Sequence, residues 1–277
     1  MWISYIAVVV FGLALGSFLN VCIYRLPRHE SIVTPRSHCP ACQRPIRWCD
    51  NVPLLSYLWL RGRCRDCHIR ISPLYPFVEA ATAGLGAATL ARYGLTPEFI
   101  KYGALGMLLL VLIFTDLRER RIPHVVTGVG ISIGLLLSFV IPVDSRPIEA
   151  LARLLGSYPE GTSLSVLGSL GGALLGGGLF QFVGYVFHRV AGKEGLGFGD
   201  VMLMFMIGTF LGPPLTLLTI LLGSLLGTFV ALPLEFMGRG FRHYQWPYGS
   251  FLGVAAIYAS LGGSYLLDAY LRWANLG

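Results

Sequence analysis

Charge is what this chain has least of. Of its 277 residues, 13% are Asp, Glu, Lys or Arg, about half the fraction usual for a soluble domain. With 55% hydrophobic residues and a mean hydropathy of +0.67, that scarcity excludes a soluble globular domain and implies an integral membrane protein. No internal repeat and no low-complexity linker divides the chain. No Gly-rich nucleotide-binding fingerprint follows a strand pattern. The first apolar run, WISYIAVVVFGLALGSFLNVCIY, follows Met1 directly with no basic flank, and no small-residue cleavage site precedes Arg25. It is therefore read as a retained first helix and not a signal peptide.

Several apolar runs approach or exceed the roughly 18 residues that cross a bilayer core as a helix, and glycine is tolerated in membrane helices. The expected fold is an all-α polytopic membrane protein of about eight transmembrane helices. After the first, the spans are expected near residues 76–91, 98–115, 123–142, 164–187, 200–212, 213–235 and 248–271. Loops retained on the cytoplasmic side carry excess Lys and Arg. If residues 25–75, with nine arginines, lie inside, alternation also puts 116–122, 188–199 and 237–247 inside, and these four loops hold sixteen of the twenty-one Lys and Arg. The other five, Arg92, Lys101, Arg146, Arg153 and Arg272, fall near the opposite face. The net charge of +7 is thus a topology signal suited to a lipid bilayer with anionic headgroups, and no nucleic-acid partner is expected.

Cys39-x-x-Cys42 and Cys64-x-x-Cys67 lie in the loop between the first two spans. Two such knuckles resemble a zinc ribbon, with four thiolates holding one structural Zn2+ in a closed tetrahedral site. Arg63 and Arg65 beside the second knuckle favour thiolates. A reducing cytoplasmic side argues against the alternative, two disulfides in an exported loop. Cys22 and Cys49 stand outside the pattern.

Acids at the membrane are few: Glu79, Asp116, Asp200, Glu235 and Asp268. An ionisable group there is costly without a partner and is a functional candidate. Asp116 ends the third span in LIFTDLRERRIPH and Asp200 opens the sixth in GFGDVMLM. Span parity puts both at similar depth on the cytoplasmic side. Two adjacent carboxyls can share one proton, the arrangement that lets one take a proton from water while the other donates to a scissile carbonyl. Gly197 and Gly199 lack Cβ, so the backbone before Asp200 can unwind and a substrate strand can approach. Taken singly, Asp200 could be a helix N-cap and Asp116 a partner of Arg118 or Arg120.

Five stretches together resemble the type IV prepilin leader peptidase and N-methyltransferase family: GSFLNVCIYRLP at 16–27, the double CxxC loop with DNVPLLSYLWLRGRCRDC, ISPLYPFVE at 71–79, DLRERRIP at 116–123 and GLGFGDVML at 195–203. The resemblance implies a bifunctional membrane aspartic endopeptidase of the GxGD type, with Asp116 and Asp200 as its catalytic pair. Such enzymes cut the basic leader of type IV prepilins or type II secretion pseudopilins after a glycine, and methylate the new amino terminus using S-adenosylmethionine. It also implies a bacterial inner-membrane location with the active site near the cytoplasmic face. WPYGSFLG at the start of the last span resembles the proline motif that flanks GxGD sites and places Pro247 near the substrate. Residues 1–97, containing the zinc loop of 25–75, are expected to form the methyltransferase part, and 98–277 a six-helix peptidase domain. Candidates for holding S-adenosylmethionine are Gly16, Ser17, Asn20, Arg25 and Glu79, of which Asn20 and Glu79 could equally be helix-packing polar groups.

Two departures stand out. The family often has lysine where this chain has Met202, and asparagine where it has His124. Two rival readings remain. One is a leader peptidase without methyl transfer, against which the full cysteine loop argues. The other is a non-enzymatic scaffold or transporter using paired acids, which would scatter polar groups over several spans.

Overall fold

A computed structural model of the chain describes residues 2–154, 160–192, 196–236 and 246–274. Lys193, Gly195, Arg239 and Arg242, which enter the charge and motif readings above, lie outside the described residues, as does the side chain of Glu235. Among the described residues the fold is helical, and β structure is limited to two isolated bridges, His38 with Pro45 and Arg63 with Arg70. The chain divides into two compact units, Met1–Phe99 and Ile100–Gly277.

In the first unit, α1 (Trp2–Arg25) and α3 (Leu74–Tyr93) flank a long loop that carries the short α2 (Leu55–Trp59). In lipid, helices associate through small residues that let backbones approach. Here a Cβ on Gly12 would lie 2.8 Å from the Ala83 Cα, and one on Gly16 would lie 2.6 Å from the Glu79 Cα. Only glycine permits those contacts. α3 stops at Gly94, whose left-handed φ of +65° is open to a residue without Cβ, and whose N–H donates to the Leu90 carbonyl at 2.8 Å.

The second unit contains most of α4 (Pro97–Glu119), then α5 (His124–Ser138), α6 (Arg146–Leu154), α7 (Thr162–Ala191), α8 (Phe198–Phe236) and α9 (Tyr248–Trp273). α8 is the hub. Leu203, Met204, Met206, Ile207, Phe210 and Leu211 in its first half are all buried, with α5, α7 and α9 packed around it. The α7 contact is glycine on glycine: a Cβ on Gly172 would meet the Gly208 carbonyl oxygen at 2.3 Å, and one on Gly208 would meet the Gly172 carbonyl oxygen at 2.2 Å. The hydroxyl of Ser169 donates across the same seam to the Thr209 carbonyl at 2.8 Å.

Among the described residues, five helices are long and apolar enough to cross a membrane: Trp2–Arg28, Pro97–Glu119, Thr162–Val190, Phe198–Pro233 and Tyr248–Trp273. The sequence reading expects eight, and the shortfall has three sources. The expected spans at 200–212 and 213–235 are counted together as α8, yet they are two helices that meet at a kink where Gly212 leaves helical geometry (φ 72°, ψ 175°), at the boundary the sequence reading expects. There Pro213 and Pro214 withhold two N–H donors, and the hydroxyl of Thr216 donates to the Gly212 carbonyl at 2.6 Å. α5 has 15 residues, roughly 22 Å of helix at about 1.5 Å per residue, short of the roughly 30 Å hydrocarbon core. α3 has the length, but Glu79, Thr82, Thr89 and Arg92 along it dilute its apolar character.

A second difference lies in the loop expected on the outer face, where α6 forms. It is anchored by Arg146, which pairs with Asp144 at 2.7 Å and Asp268 at 3.1 Å.

Candidate active site

The last turn of α4 and the first turns of α8 and α9 each deliver one component of the site. Asp116 ends the buried run of α4 and is itself buried. Asp200 lies in the first turn of α8, with its N–H donating to the Gly197 carbonyl at 3.0 Å. Between them passes Gly249 of α9. A Cβ built there would sit 3.0 Å from Oδ1 of Asp200 and 3.2 Å from Oδ2 of Asp116. The structure thus brings one oxygen of each carboxyl within 3.2 Å of the same position, the Cβ site of Gly249.

Ser250 grips Asp116. Its backbone N–H and its hydroxyl both donate to Oδ2, at 2.8 and 2.9 Å, and the hydroxyl also lies 3.1 Å from the Ile113 carbonyl. Arg120 adds its charge at longer range. The start of α9 is fixed in turn by Tyr248, whose hydroxyl is 2.9 Å from that of Ser224 and whose ring stacks on Phe180 with centroids 6.1 Å apart.

Of the two glycines of GFGD, Gly199 is required by space, and Gly197 lies just before the helix begins. Gly199 is helical, and neither Gly197 nor Gly199 has a positive φ. A Cβ on Gly199 would lie 2.9 Å from the Ile122 Cβ, whereas one on Gly197 would meet Asp200 at an ordinary 3.5 Å. Ile122 also reaches to 2.7 Å from the Cβ position of Gly249. It is the wedge between the two acid-bearing turns. His124, next along, tilts against Phe198 with ring centroids 5.5 Å apart. Pro247 precedes α9, and its carbonyl is 3.2 Å from the Ser250 N–H. The residues of that motif that meet the acids are Gly249 and Ser250. The sequence reading flags WPYGSFLG through Pro247 and misses these two; RIP carries Ile122, which it misses as well.

In the first unit, the sulfurs of Cys39, Cys42, Cys64 and Cys67 lie within 4.8 Å of one another, and those of Cys39 and Cys67 are 3.7 Å apart. A tetrahedral Zn2+ with Zn–S of about 2.3 Å needs sulfurs spaced by about 3.8 Å, so the four thiols fit a metal ion. Each knuckle closes in the same way. Cys39 N–H donates to the Arg44 carbonyl and Cys64 N–H to the Ile69 carbonyl, both at 2.9 Å, while Gln43 and His68 donate back to the Cys39 and Cys64 carbonyls. Gln43 and His68 both take left-handed φ, +59° and +56°.

Burial pushes the Cys39 thiol up, but hydrogen bonds from the backbone of Cys42 and Ala41 and from the neighbouring thiols outweigh it and hold the group down at about 7. Arg65, expected beside the thiolates, is instead committed to Asp50 with contacts of 2.5 and 2.8 Å. Those hydrogen bonds hold the Asp50 carboxyl below its usual range. Backbone amides, and not the arginines, favour the thiolate at Cys39.

The five residues considered for the methyl donor lie along α1 and α3. The space above Gly16 is filled by the Glu79 Cα. Asn20 donates to the Tyr75 carbonyl at 3.0 Å, and Arg25 donates to the Ser31 and Pro35 carbonyls, both at 2.7 Å. These three hold helices and loop together. Glu79 is buried and accepts the Leu54 N–H at 2.8 Å, and Ser17 lies one residue along α1 from Gly16, which packs on Glu79. A hydroxyl beside a carboxylate is chemistry that suits the hydroxyl or amino groups of a nucleoside-containing cofactor.

The chain matches two family models, one described as the bacterial peptidase A24 N-terminal domain over residues 10–93 and one described as the type IV leader peptidase family over residues 103–232. It is 33% identical over 300 residues to the prepilin leader peptidase/N-methyltransferase of Aeromonas salmonicida (strain A449), covering 98% of this chain and 94% of that one. The protein of the same name from Bacillus subtilis (strain 168) is 31% identical over 265 residues, 96% of this chain and 97% of its own. The one from Myxococcus xanthus (strain DK1622) is 38% identical over 223 residues, 80% of this chain and 61% of its own. No solved structure matches the chain.

Proposed function

This chain belongs to the type IV leader peptidase family, and on that premise we propose that Asp116 and Asp200 are the acids with which it cuts the leader from prepilins before N-methylating the new terminus. Both activities are those of the relatives' shared name, prepilin leader peptidase/N-methyltransferase. The observation that carries the peptidase reading is the convergence of the two carboxyls above Gly249. Its substrates are type IV prepilins or type II secretion pseudopilins, cut after glycine. Its place is a bacterial inner membrane, with the acids near the cytoplasmic face where a basic leader would remain.

The chemistry needs no covalent intermediate. One carboxylate removes a proton from water as the water oxygen bonds to the scissile carbonyl carbon, while the protonated carboxyl gives its proton to the carbonyl oxygen. The hydrate collapses as the carbon–nitrogen bond breaks. The first carboxyl returns its proton to the leaving nitrogen, and the second recovers one from the hydrate hydroxyl, so the pair is restored. Gly249 leaves room for the substrate backbone between the acids, with Gly197 and Gly199 beside Asp200 and Pro247 opening α9 nearby. Incubating the purified full-length chain with a prepilin tests this. Leader loss is expected, and a folded chain that leaves the substrate whole overturns the reading.

The first unit carries the second activity in this proposal. S-adenosylmethionine, when bound, would supply the methyl group, and Ser17 and Glu79 are the residues of the five-residue set that would hold it through a hydroxyl and a carboxylate. Glu79→Gln is expected to lower methylation by about tenfold or more, the cost of losing a charge-assisted contact, while leader cleavage stays within about twofold. The ratio of methylated to unmethylated product, read by mass, checks this.

The four cysteines hold Zn2+ as a structural ion, since a closed set of thiolates leaves no position for a reacting water. Cys39→Ser is expected to lose the metal, read as zinc per chain by elemental analysis, and to make residues 37–71 sensitive to proteolysis. Zinc retained at the wild-type ratio would contradict the assignment.

A further inference from the structure

The pair as described leaves open which carboxyl starts the reaction ionised, and the surroundings of the two are not alike. Asp116 receives two donors on one oxygen, the N–H and the hydroxyl of buried Ser250. Asp200, among the described residues, accepts no hydrogen bond from a side chain or amide. Resting on the reading of these acids as the reacting pair, we propose that Ser250 is a positioning residue that keeps the charge on Asp116, making Asp116 the proton acceptor and Asp200 the proton donor.

Hydrogen bonds given to a carboxylate favour its charged form, and those to an ionised oxygen are about twice as strong as neutral ones. The Ser250 hydroxyl has one proton and two acceptors in reach, Oδ2 of Asp116 and the Ile113 carbonyl. The Ser250 N–H likewise has the Pro247 carbonyl at a longer 3.2 Å. An ionised Asp116 is the stronger acceptor for both protons, so the network is best satisfied when the charge is there.

The groups facing Asp116 are Asp200 from α8, Gly249 and Ser250 from α9, Ile122 from the α4–α5 connection and, at longer range, Arg120. The helix dipoles work against this order, because Asp200 opens a helix and Asp116 closes one. That field acts without contact, whereas Ser250 makes two direct bonds from the opening turn of α9, whose own positive end points at Asp116.

In the resulting step, the attacking water gives its proton to Asp116 while its oxygen bonds to the scissile carbon. The proton of Asp200 moves to the carbonyl oxygen. Activity then needs Asp116 ionised, which sets the acidic limb of the pH profile, and Asp200 protonated, which sets the alkaline limb. Because the two acids interact, each limb belongs to the pair, but removing a donor from one member moves the limb that member dominates.

The test is the pH dependence of kcat and KM for leader cleavage by the full-length chain as wild type, Ser250→Ala, Ser250→Thr and Asp116→Asn. Ser250→Ala is expected to move the acidic limb to higher pH by about one unit, lower kcat on the order of tenfold below that limb and leave KM within about twofold. Ser250→Thr, which restores a hydroxyl, returns the limb toward wild type. A merely structural role for Ser250 would lower activity at all pH values alike, and neither limb moving would overturn the proposal. An alkaline limb that moves instead would reverse the roles and overturn it too. If Asp116→Asn still cleaves, the pair itself is wrong, a result distinct from a dead Asp116→Asn beside an unmoved Ser250→Ala profile.

Discussion

Asp116→Asn and Asp200→Asn are each expected to reduce leader cleavage on the order of 1000-fold or more, with the helices retained. The size follows from the role. A positioned acid or base contributes roughly 100- to 10,000-fold, and the members of a pair that passes one proton between them fail together, so the double variant is expected to be little worse than either single one. The fold should survive, because asparagine keeps the shape of the side chain and at position 116 still presents an oxygen to the two donors of Ser250. Cleavage rate by mass spectrometry and helix content by circular dichroism check the two halves of the statement. A variant that cuts within tenfold of wild type would contradict it.

Gly249→Ala is expected to lower cleavage by about 100-fold or more while leaving both acids in the chain. The added methyl carbon would lie 2.7 Å from Cδ1 of Ile122 and 3.0 and 3.2 Å from the two carboxyl oxygens. The first distance is below any ordinary contact, and the other two place carbon where a water or substrate carbonyl must sit. Ile122 has little room to yield, since it is also packed against Gly199. The carboxyls are then forced apart, and a displacement of about 1 Å in a reacting group costs on the order of 100-fold. Methylation of a substrate already stripped of its leader should persist at the wild-type rate, which separates damage to the site from loss of the whole protein.

The parts of this molecule legible in the sequence are those written in single residues or short spacings. Asp116 and Asp200 announce themselves as acids at the edges of apolar runs, and the two CxxC pairs carry their own spacing. The residues that shape the candidate site are a different matter. Ile122, Gly249 and Ser250 are unremarkable in composition, and they matter because the turn after α4, the start of α8 and the start of α9 meet. Ser250 is 134 positions from Asp116, so no local pattern joins them.

α8 is legible in part. The sequence reading separates 200–212 from 213–235, and the backbone agrees, since two helices meet at a kink at Gly212; what the sequence does not show is the left-handed φ of 72° by which the chain turns there. Asn20 takes the helix-packing role that is its alternative reading, and Gly16 and Arg25 gain an explanation from the structure. Their partners are a Cα and three carbonyls of the neighbouring helix and loop, groups that carry no residue identity at all. Arg65 is similar: adjacency to Cys64 suggests that it tunes a thiol, and its guanidinium turns to Asp50 instead.

The most direct test of the central claim is the intact mass of a type IV prepilin after incubation with the full-length chain and S-adenosylmethionine, compared between wild type and Asp200→Asn. The account predicts a wild-type product that lacks the leader and carries one added methyl group, and a variant that leaves the prepilin whole. Leader removal by Asp200→Asn at a rate near wild type would contradict it, because no second carboxyl would then be needed at the point where α4, α8 and α9 meet.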